Sequence, residues 1–311
     1  MIKIGPAGRF VALLSAMLSA APASAFNHRA HRAIGAAAEA RLSSKALKAV
    51  HALLGEKVGL EAVSACADDL LYHKEAEFDC AGFKVKSDPA KTTQPWHYLN
   101  VPSSAAASLA TLMSYCPGGG DCVIAKVREQ LFELAKPNAP IQDKRLALMY
   151  LVHLVGDLHQ PLHFGRVDDR GGNMKPVSLL GAEKNLHALW DDMILPEDWR
   201  AQKAMDTAPL TRAIATGIAA KNVAPWLAGD MAGDAAVESF QLAKTIYAQY
   251  EQDQGKLGTA YQQQMQPVVR ERLETASVRL AAMIERALGQ DLPAEKINGA
   301  LKPGNAAPMF D

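Results

Sequence analysis

Apolar residues recur along this chain at intervals of three and four, and few stretches alternate with the two-residue period of a half-buried strand. The spacing predicts helices over about 28–54, 61–72, 104–115, 121–136, 141–160, 184–194, 207–220, 232–252 and 257–288. In the last of these Val269, Leu273, Ala276, Leu280, Met283 and Ala287 make one apolar stripe that should close over a core. Between Asp69 and Trp96 the chain turns polar with scattered lysines, and Asp168 to Gly181 carries Gly171, Gly172 and Pro176. Both stretches read as loops, with room for one short β-hairpin. The expected fold class is all-α, a single mainly helical domain without internal repeats or low-complexity segments.

Two ends stand outside that pattern. Lys3 and Arg9 precede an apolar stretch from Phe10 to Ala21, followed by the small-x-small triplet Ala23-Ser24-Ala25. Roughly 12 apolar residues are too few to span a bilayer core of about 30 Å, so residues 1–25 read as a cleaved signal peptide. Cleavage after Ala25 makes Phe26 the mature N-terminus and places the protein in a periplasm or outside the cell. Beyond about 290, Pro293, Pro303, Gly304 and Pro308 predict a flexible tail, 291–311.

Composition changes little. The 311 residues are 49% hydrophobic and 21% charged with zero formal net charge, as expected of a soluble globular chain with ample core. Loss of Lys3 and Arg9 takes the balance to about −2. There is no basic footprint for sequence-specific duplex binding, but bound metal ions can themselves supply the charge that phosphates need. Export permits disulfides. Cys116 and Cys122 flank the turn-rich Pro117-Gly118-Gly119-Gly120-Asp121 and could close a small bridge, with Cys66 and Cys80 as the second pair. Four cysteines allow three connectivities, and cysteine-ligated zinc is the rival reading, although neither pair has Cys-x-x-Cys spacing.

The candidate chemistry lies in a histidine and aspartate ladder: His153, Asp157 and His163 inside LVHLVGDLHQPLH, then His187 and Asp191 inside NLHALWD, with His31 and His97 upstream. Residues four apart on a helix project from one face, so His153/Asp157 and His187/Asp191 each offer an imidazole and a carboxylate together. Zinc takes about four such donors, and His/Asp sets leave room for water where chemistry occurs. One such pair alone is what a surface ion pair also produces. Two pairs with Gln160-Pro161-Leu162-His163 between them point to a buried multi-zinc site, because a metal-free core would have to bury several ionisable groups at high cost.

Five segments, Ser64–Asp68 (SACAD), Trp96–Asn100 (WHYLN), His153–His163 (HLVGDLHQPLH), Arg170–Asn173 (RGGN) and Asn185–Asp191 (NLHALWD), together resemble the zinc-dependent single-strand nucleases of the S1/P1 type. They occur in that family's order and span most of the mature chain, and Ala276–Ala281 is similar to its closing helix. The resemblance implies a nuclease domain over 26–290, mainly helical, with three zincs at the base of a cleft. It implies hydrolysis of single-stranded DNA and RNA to 5′-nucleotides and removal of 3′-phosphate from nucleotides. Asp68, His97, His153 and Asp157 would hold the first zinc, and His163, His187 and Asp191 the second. The third would use the α-amine and carbonyl of Phe26 with His31, with Asp157 bridging to the first. A zinc-bound hydroxide, with Asp68 and Asp157 as catalytic carboxylates, would attack phosphorus. Tyr98 and Asn100 would stack on and hydrogen-bond the base beside the scissile phosphate, which suits low sequence specificity. The expected partner is a single-stranded nucleic acid or nucleotide, with no membrane and no stable protein partner, so a monomer.

This chain also departs from the family pattern. Phe26 stands where tryptophan is common, Cys66 takes a tryptophan position, and Leu71 stands where an arginine often holds the phosphate. Lys74, Lys84, Lys86 and Lys91 are candidate replacements for that arginine. His28, His51 and His73 fall outside the ladder and read as exposed, and His159 reads as a supporting residue, not a ligand. Trp96 and Trp190 should pack around the site. Two other functions stay open. A zinc-dependent phospholipase C shares the ladder spacing but tends to have glutamate where Asp191 stands. A non-catalytic zinc store would favour thiol-rich or flexible histidine-rich tracts, which are missing here.

Overall fold

Helix α7 (Ile141–His159) is the axis of the molecule, and every residue from Ala147 to His159 is buried. A helix buried on all sides must be wrapped by others. Here it is packed by α1 (His28–Glu39), α2 (Ser44–Leu54), α3 (Leu60–Val63), α4 (Cys66–Tyr72), α6 (Val123–Ala135), α11 (Met231–Gln252) and α12 (Thr259–Ile284). Leu148, Leu151 and Leu154 have no exposed surface, and truncating any one to alanine would cost about 2–5 kcal/mol. This computed structural model describes residues 27–72, 77–86, 92–193 and 206–289. The stretches expected as a signal peptide, 1–25, and a tail, 291–311, and with them Phe26, lie outside the described residues.

The mainly helical, single-domain expectation holds, with local corrections. The stretch expected as one helix over 28–54 is two. Ala40 caps α1, and Ser43 opens α2 by accepting from the Ala46 amide at 3.2 Å. The break is set by the far end of the chain, because Ser43 donates through both its amide and its hydroxyl to the carboxylate of Glu285. The predicted 104–115 helix shrinks to α5 (Leu109–Ser114), since Ser108 takes the N-cap and accepts from the Thr111 amide. The predicted 184–194 helix is α8 (Leu186–Ala188), capped by Asn185, followed by a wide helical turn from Leu189 to Met193. Helices α9 (Ala208–Ala219) and α10 (Ala224–Leu227) complete the set among the described residues.

One short hairpin was expected, and two small sheets form. Strands β1 (Glu77–Cys80) and β2 (Phe83–Lys86) pair antiparallel in the first. In the second, β3 (Pro176–Leu179) pairs antiparallel with β4 (Ala182–Asn185) and parallel with β5 (Lys256–Leu257). Both hairpins turn on a residue plus glycine at positive φ, Ala81-Gly82 and Leu180-Gly181. Disulfides join Cys66 to Cys80 and Cys116 to Cys122. The first pins the hairpin to α4. Among the described residues no helix is long and apolar enough to cross a membrane.

Candidate metal centre

Helix α7 carries His153 and Asp157 one turn apart, and a 3-10 turn just past its end (Pro161–Phe164) carries His163. His187 sits on α8 and Asp191 on the wide turn after it. His31 comes from α1, Asp68 from α4, and His97 ends a 3-10 turn over Gln94–His97. All eight residues are 0–6% exposed. They converge into three groups, each with ligand atoms within 4.8 Å of one another: His31, His153 and Asp157; Asp68, His97 and His153; His163, His187 and Asp191.

His153 appears in two groups, and its hydrogen bonding decides between them. Its Nδ1 lies 2.8 Å from the Ser64 carbonyl, which leaves one nitrogen, Nε2, facing Asp68 Oδ1 and Asp157 Oδ2, each at 3.3 Å. One lone pair serves one ion. His153 therefore falls with Asp68, His97 and Asp157. The other oxygen of Asp157, Oδ1, faces His31 Nε2 at 3.3 Å, so the two oxygens of one carboxylate point to different groups, as a bridging ligand requires. His163 and His187 are oriented like His153, with Nδ1 on the carbonyls of His97 and Gly171 respectively. Holding one ring nitrogen on a carbonyl fixes the tautomer and aims the other inward.

Close packing makes this convergence possible. His31 stacks on His153 with ring centroids 4.0 Å apart, and a Cβ at Gly156 would sit 2.6 Å from His31 Nδ1. Gly171, at φ 69°, lets its carbonyl reach His187; a Cβ there would lie 2.8 Å from the Leu162 carbonyl. Gln160 donates from Nε2 to Asp191 Oδ1 at 2.7 Å and accepts from the Leu162 amide.

The donor set fits a divalent transition metal. His153 Nε2, His163 Nε2, Asp157 Oδ1 and Asp191 Oδ2 are buried and make no hydrogen bond. An unsatisfied buried polar atom costs about 1–3 kcal/mol, and a cation among them would offset that with imidazole and carboxylate donors of the right kind.

Comparison with known proteins decides the family, because the profile of the S1/P1 Nuclease family matches residues 26–289. The chain belongs to the S1/P1 nuclease family. It is 26% identical to Endonuclease 4 of Arabidopsis thaliana over 279 residues, covering 82% of this chain and 87% of that one. It is 27% identical to Nuclease S1 of Aspergillus oryzae over 215 residues, 64% of this chain and 74% of the other. With Nuclease P1 of Penicillium citrinum it shares 28% identity over 118 residues, 36% of this chain and 43% of the other.

Electrostatics in this S1/P1 family member divide the site in two. Burial raises the carboxyls of Asp68 and Asp157, yet the facing His153 imidazole outweighs it and both are pulled well below the usual range. Burial lowers His153, but Asp157 and Asp68 prevail and hold it well above the usual histidine value. His31 falls to about 4 through burial and the neighbouring His153. In the other group burial dominates throughout. It lowers His163, takes His187 to about 3 with help from His163, and raises Asp191 well above the usual carboxylate range. A cation would replace the shared protons in the first group and the proton held on Asp191 in the second.

Tyr98 and Asn100 are half-exposed and alternate with buried His97, Leu99 and Val101, so they share the more open face of an extended segment held by Leu99 N–H to the His163 carbonyl at 2.8 Å. Asn100 Oδ1 is buried without a hydrogen bond. His159 is no ligand: Nδ1 meets the Val155 carbonyl at 2.7 Å and Nε2 meets Arg279 at 3.2 Å. Trp190 is buried and donates to the Tyr261 hydroxyl at 2.9 Å, while Trp96 packs on Tyr150 beneath Lys126. Lys84 pairs with Asp79 on the hairpin and Lys86 is exposed; His73, Lys74 and Lys91 lie outside the described residues. His51 is half-buried in the last turn of α2. His28, expected to be simply exposed, is half-exposed and reaches toward Asp68 and Asp69 at 3.9 and 3.7 Å. Gln160 and the carbonyls of Ser64, His97 and Gly171 were not singled out beforehand. Only Gln160 had a signal, its place inside the ligand motif, since a backbone carbonyl leaves none.

Proposed function

We propose that the processed chain is an exported zinc-dependent phosphoesterase that cuts single-stranded DNA and RNA to 5′-nucleotides and removes the 3′-phosphate from nucleotides. The observation that carries this reading is the convergence of eight buried side chains into three groups, two of them joined through Asp157. Asp68, His97, His153 and Asp157 would hold one zinc; His163, His187 and Asp191 a second; His31, Asp157 and the amine and carbonyl of Phe26 a third. Bound there, zinc supplies Lewis acidity that makes water a nucleophile near neutral pH and offsets charge building on the phosphate.

The chain's own residues do the rest. The carbonyls of Ser64, His97 and Gly171 hold three imidazoles in one tautomer each, and Gln160 holds Asp191. Asp68 turns Oδ1 toward His153 and His97 and Oδ2 toward the half-exposed His28, where it can orient an attacking water. Tyr98 offers a ring to stack on a base, and Asn100, half-exposed on the same side of the segment, offers a side-chain amide to hydrogen-bond it. A stacked, splayed base is available in a single strand and not in a duplex. The names of the relatives, nucleases and endonucleases, agree with this reading, and the family match begins at Phe26.

Residues 1–25 are then a signal peptide, 26–290 a monomeric nuclease domain and 291–311 a tail. Zinc content of the chain starting at Phe26, with hydrolysis of single-stranded DNA, RNA, a 3′-nucleotide and phosphatidylcholine side by side, tests the proposal. About three zincs and nucleic-acid turnover are expected; turnover of lipid alone, or bound zinc with no turnover, refutes it. A residue added before Phe26 should cripple activity by blocking the amine, and full activity of such a chain would remove Phe26 from the ligand set.

A further inference from the structure

Helix α1 sends two histidines to the centre from one face, because His28 and His31 are three residues apart. They end in different environments. His31 is fully buried against His153, whereas the His28 side chain is 39% exposed with Nε2 3.9 Å from Asp68 Oδ2 and 3.7 Å from Asp69 Oδ1. Both distances exceed a hydrogen bond. His28 therefore stands at the mouth of the ligand groups, held near two carboxylates and bonded to neither.

A phosphodiester entering this mouth meets Asp68 and the 42% exposed Asp69, and like charge opposes it unless a donor intervenes. The neighbouring cation on α1 is directed elsewhere: Arg29 is buried with Nε on the Asp206 carbonyl at 3.0 Å. Leu71, half-buried on α4, has no polar atom to offer. Lys84 is engaged with Asp79. Among the described residues, His28 is the one basic side chain outside the ligand groups within 4 Å of a ligand carboxylate.

We infer that His28 is a substrate-holding residue, whose Nε2–H donates to a non-bridging oxygen of the phosphate while Asp68 and Asp69 keep the ring at the mouth. The ring acts as a hydrogen-bond donor, so it bears on binding more than on the chemical step. The inference rests on the phosphoesterase reading above, and two arms keep their failures apart.

The first arm is steady-state hydrolysis of a single-stranded oligonucleotide and a 3′-nucleotide by the zinc-loaded chain starting at Phe26. His28→Ala should raise KM about tenfold with kcat nearly unchanged, the loss of one hydrogen bond to a charged group, and His28→Arg should restore KM. The second arm is calorimetric binding of inorganic phosphate to the same zinc-loaded proteins, where His28→Ala should weaken Kd by a similar factor. Zinc content and Tm should match the parent in both variants. An unchanged KM and an unchanged phosphate Kd overturn the inference, and so does a drop in bound zinc, which would make His28 a ligand. If the parent chain hydrolyses nothing, the functional proposal fails and the phosphate arm alone decides the role of His28.

Discussion

Two buried polar clusters lie against opposite sides of α7, since Asp157 and His159, two residues apart on a helix, point about 160° from one another. On the His159 side, Arg272 donates to Glu238, Ser239 and the carbonyls of Ala235 and His159. Arg279 donates to both oxygens of Glu238 at 2.8 Å and to the Trp226 carbonyl. Burial and the two guanidinium groups push His159 well below the usual histidine value, so it accepts from Arg279 as a neutral ring. Hydrogen-bonding capacity closes on itself. On the Asp157 side, nitrogens and oxygens converge and several make no hydrogen bond. Burial and charge are common to both clusters; saturation separates a cluster that holds helices together from one prepared for a ligand.

Substitutions can break this contrast from either side. The largest effect is expected from Asp157→Ala, which removes the carboxylate shared by two groups: activity should fall more than about 100-fold and bound zinc should drop, measured by turnover and metal analysis. Removal of zinc by chelation should abolish activity and re-addition restore it. Arg272→Met should act in the opposite sense, destabilising the fold by about 3 kcal/mol and lowering Tm by roughly 5–10 °C, with zinc stoichiometry intact. Zinc loss in that variant would show that the two clusters are one unit.

Gln160→Met, which frees one oxygen of Asp191, should weaken the second zinc about 10–100-fold, read by competition with a chelator. The smallest effect is a proton count. His153 is held protonated above its usual value and Asp191 keeps its proton well above the usual carboxylate range. Loading zinc should therefore release protons, and zinc affinity should decline as pH falls. Calorimetry in two buffers of different ionisation enthalpy measures the release; no difference between buffers would mean that these groups are already deprotonated.

Much of the candidate site was legible because two of its ligand pairs are local. His153/Asp157 and His187/Asp191 follow from a four-residue spacing, and His163 follows from its place in the same motif. Asp68, His97 and His31 carry no such internal spacing; they were reached through resemblance to a family, not periodicity. One hairpin was expected and two form, and their number and places were illegible for a chemical reason. Ala81-Gly82 and Leu180-Gly181 supply positive φ without the Asn-Gly or Asp-Gly signature of a two-residue turn. The break between α1 and α2 was hidden because Glu285, far along the chain, sets it. His28 looked like an ordinary exposed histidine, since nothing in its neighbourhood along the chain announces Asp69.

The sequence by itself determined the helical period and the pairing of the candidate donors that share a helix face, because these depend on spacings within a turn or two. Tertiary structure alone decided that Asp157 divides its oxygens between two groups, that His153 has a single nitrogen left to give, and that His28 stands at the mouth. Those facts depend on where α1, α4 and α7 meet, and packing of distant segments is not written in any local period.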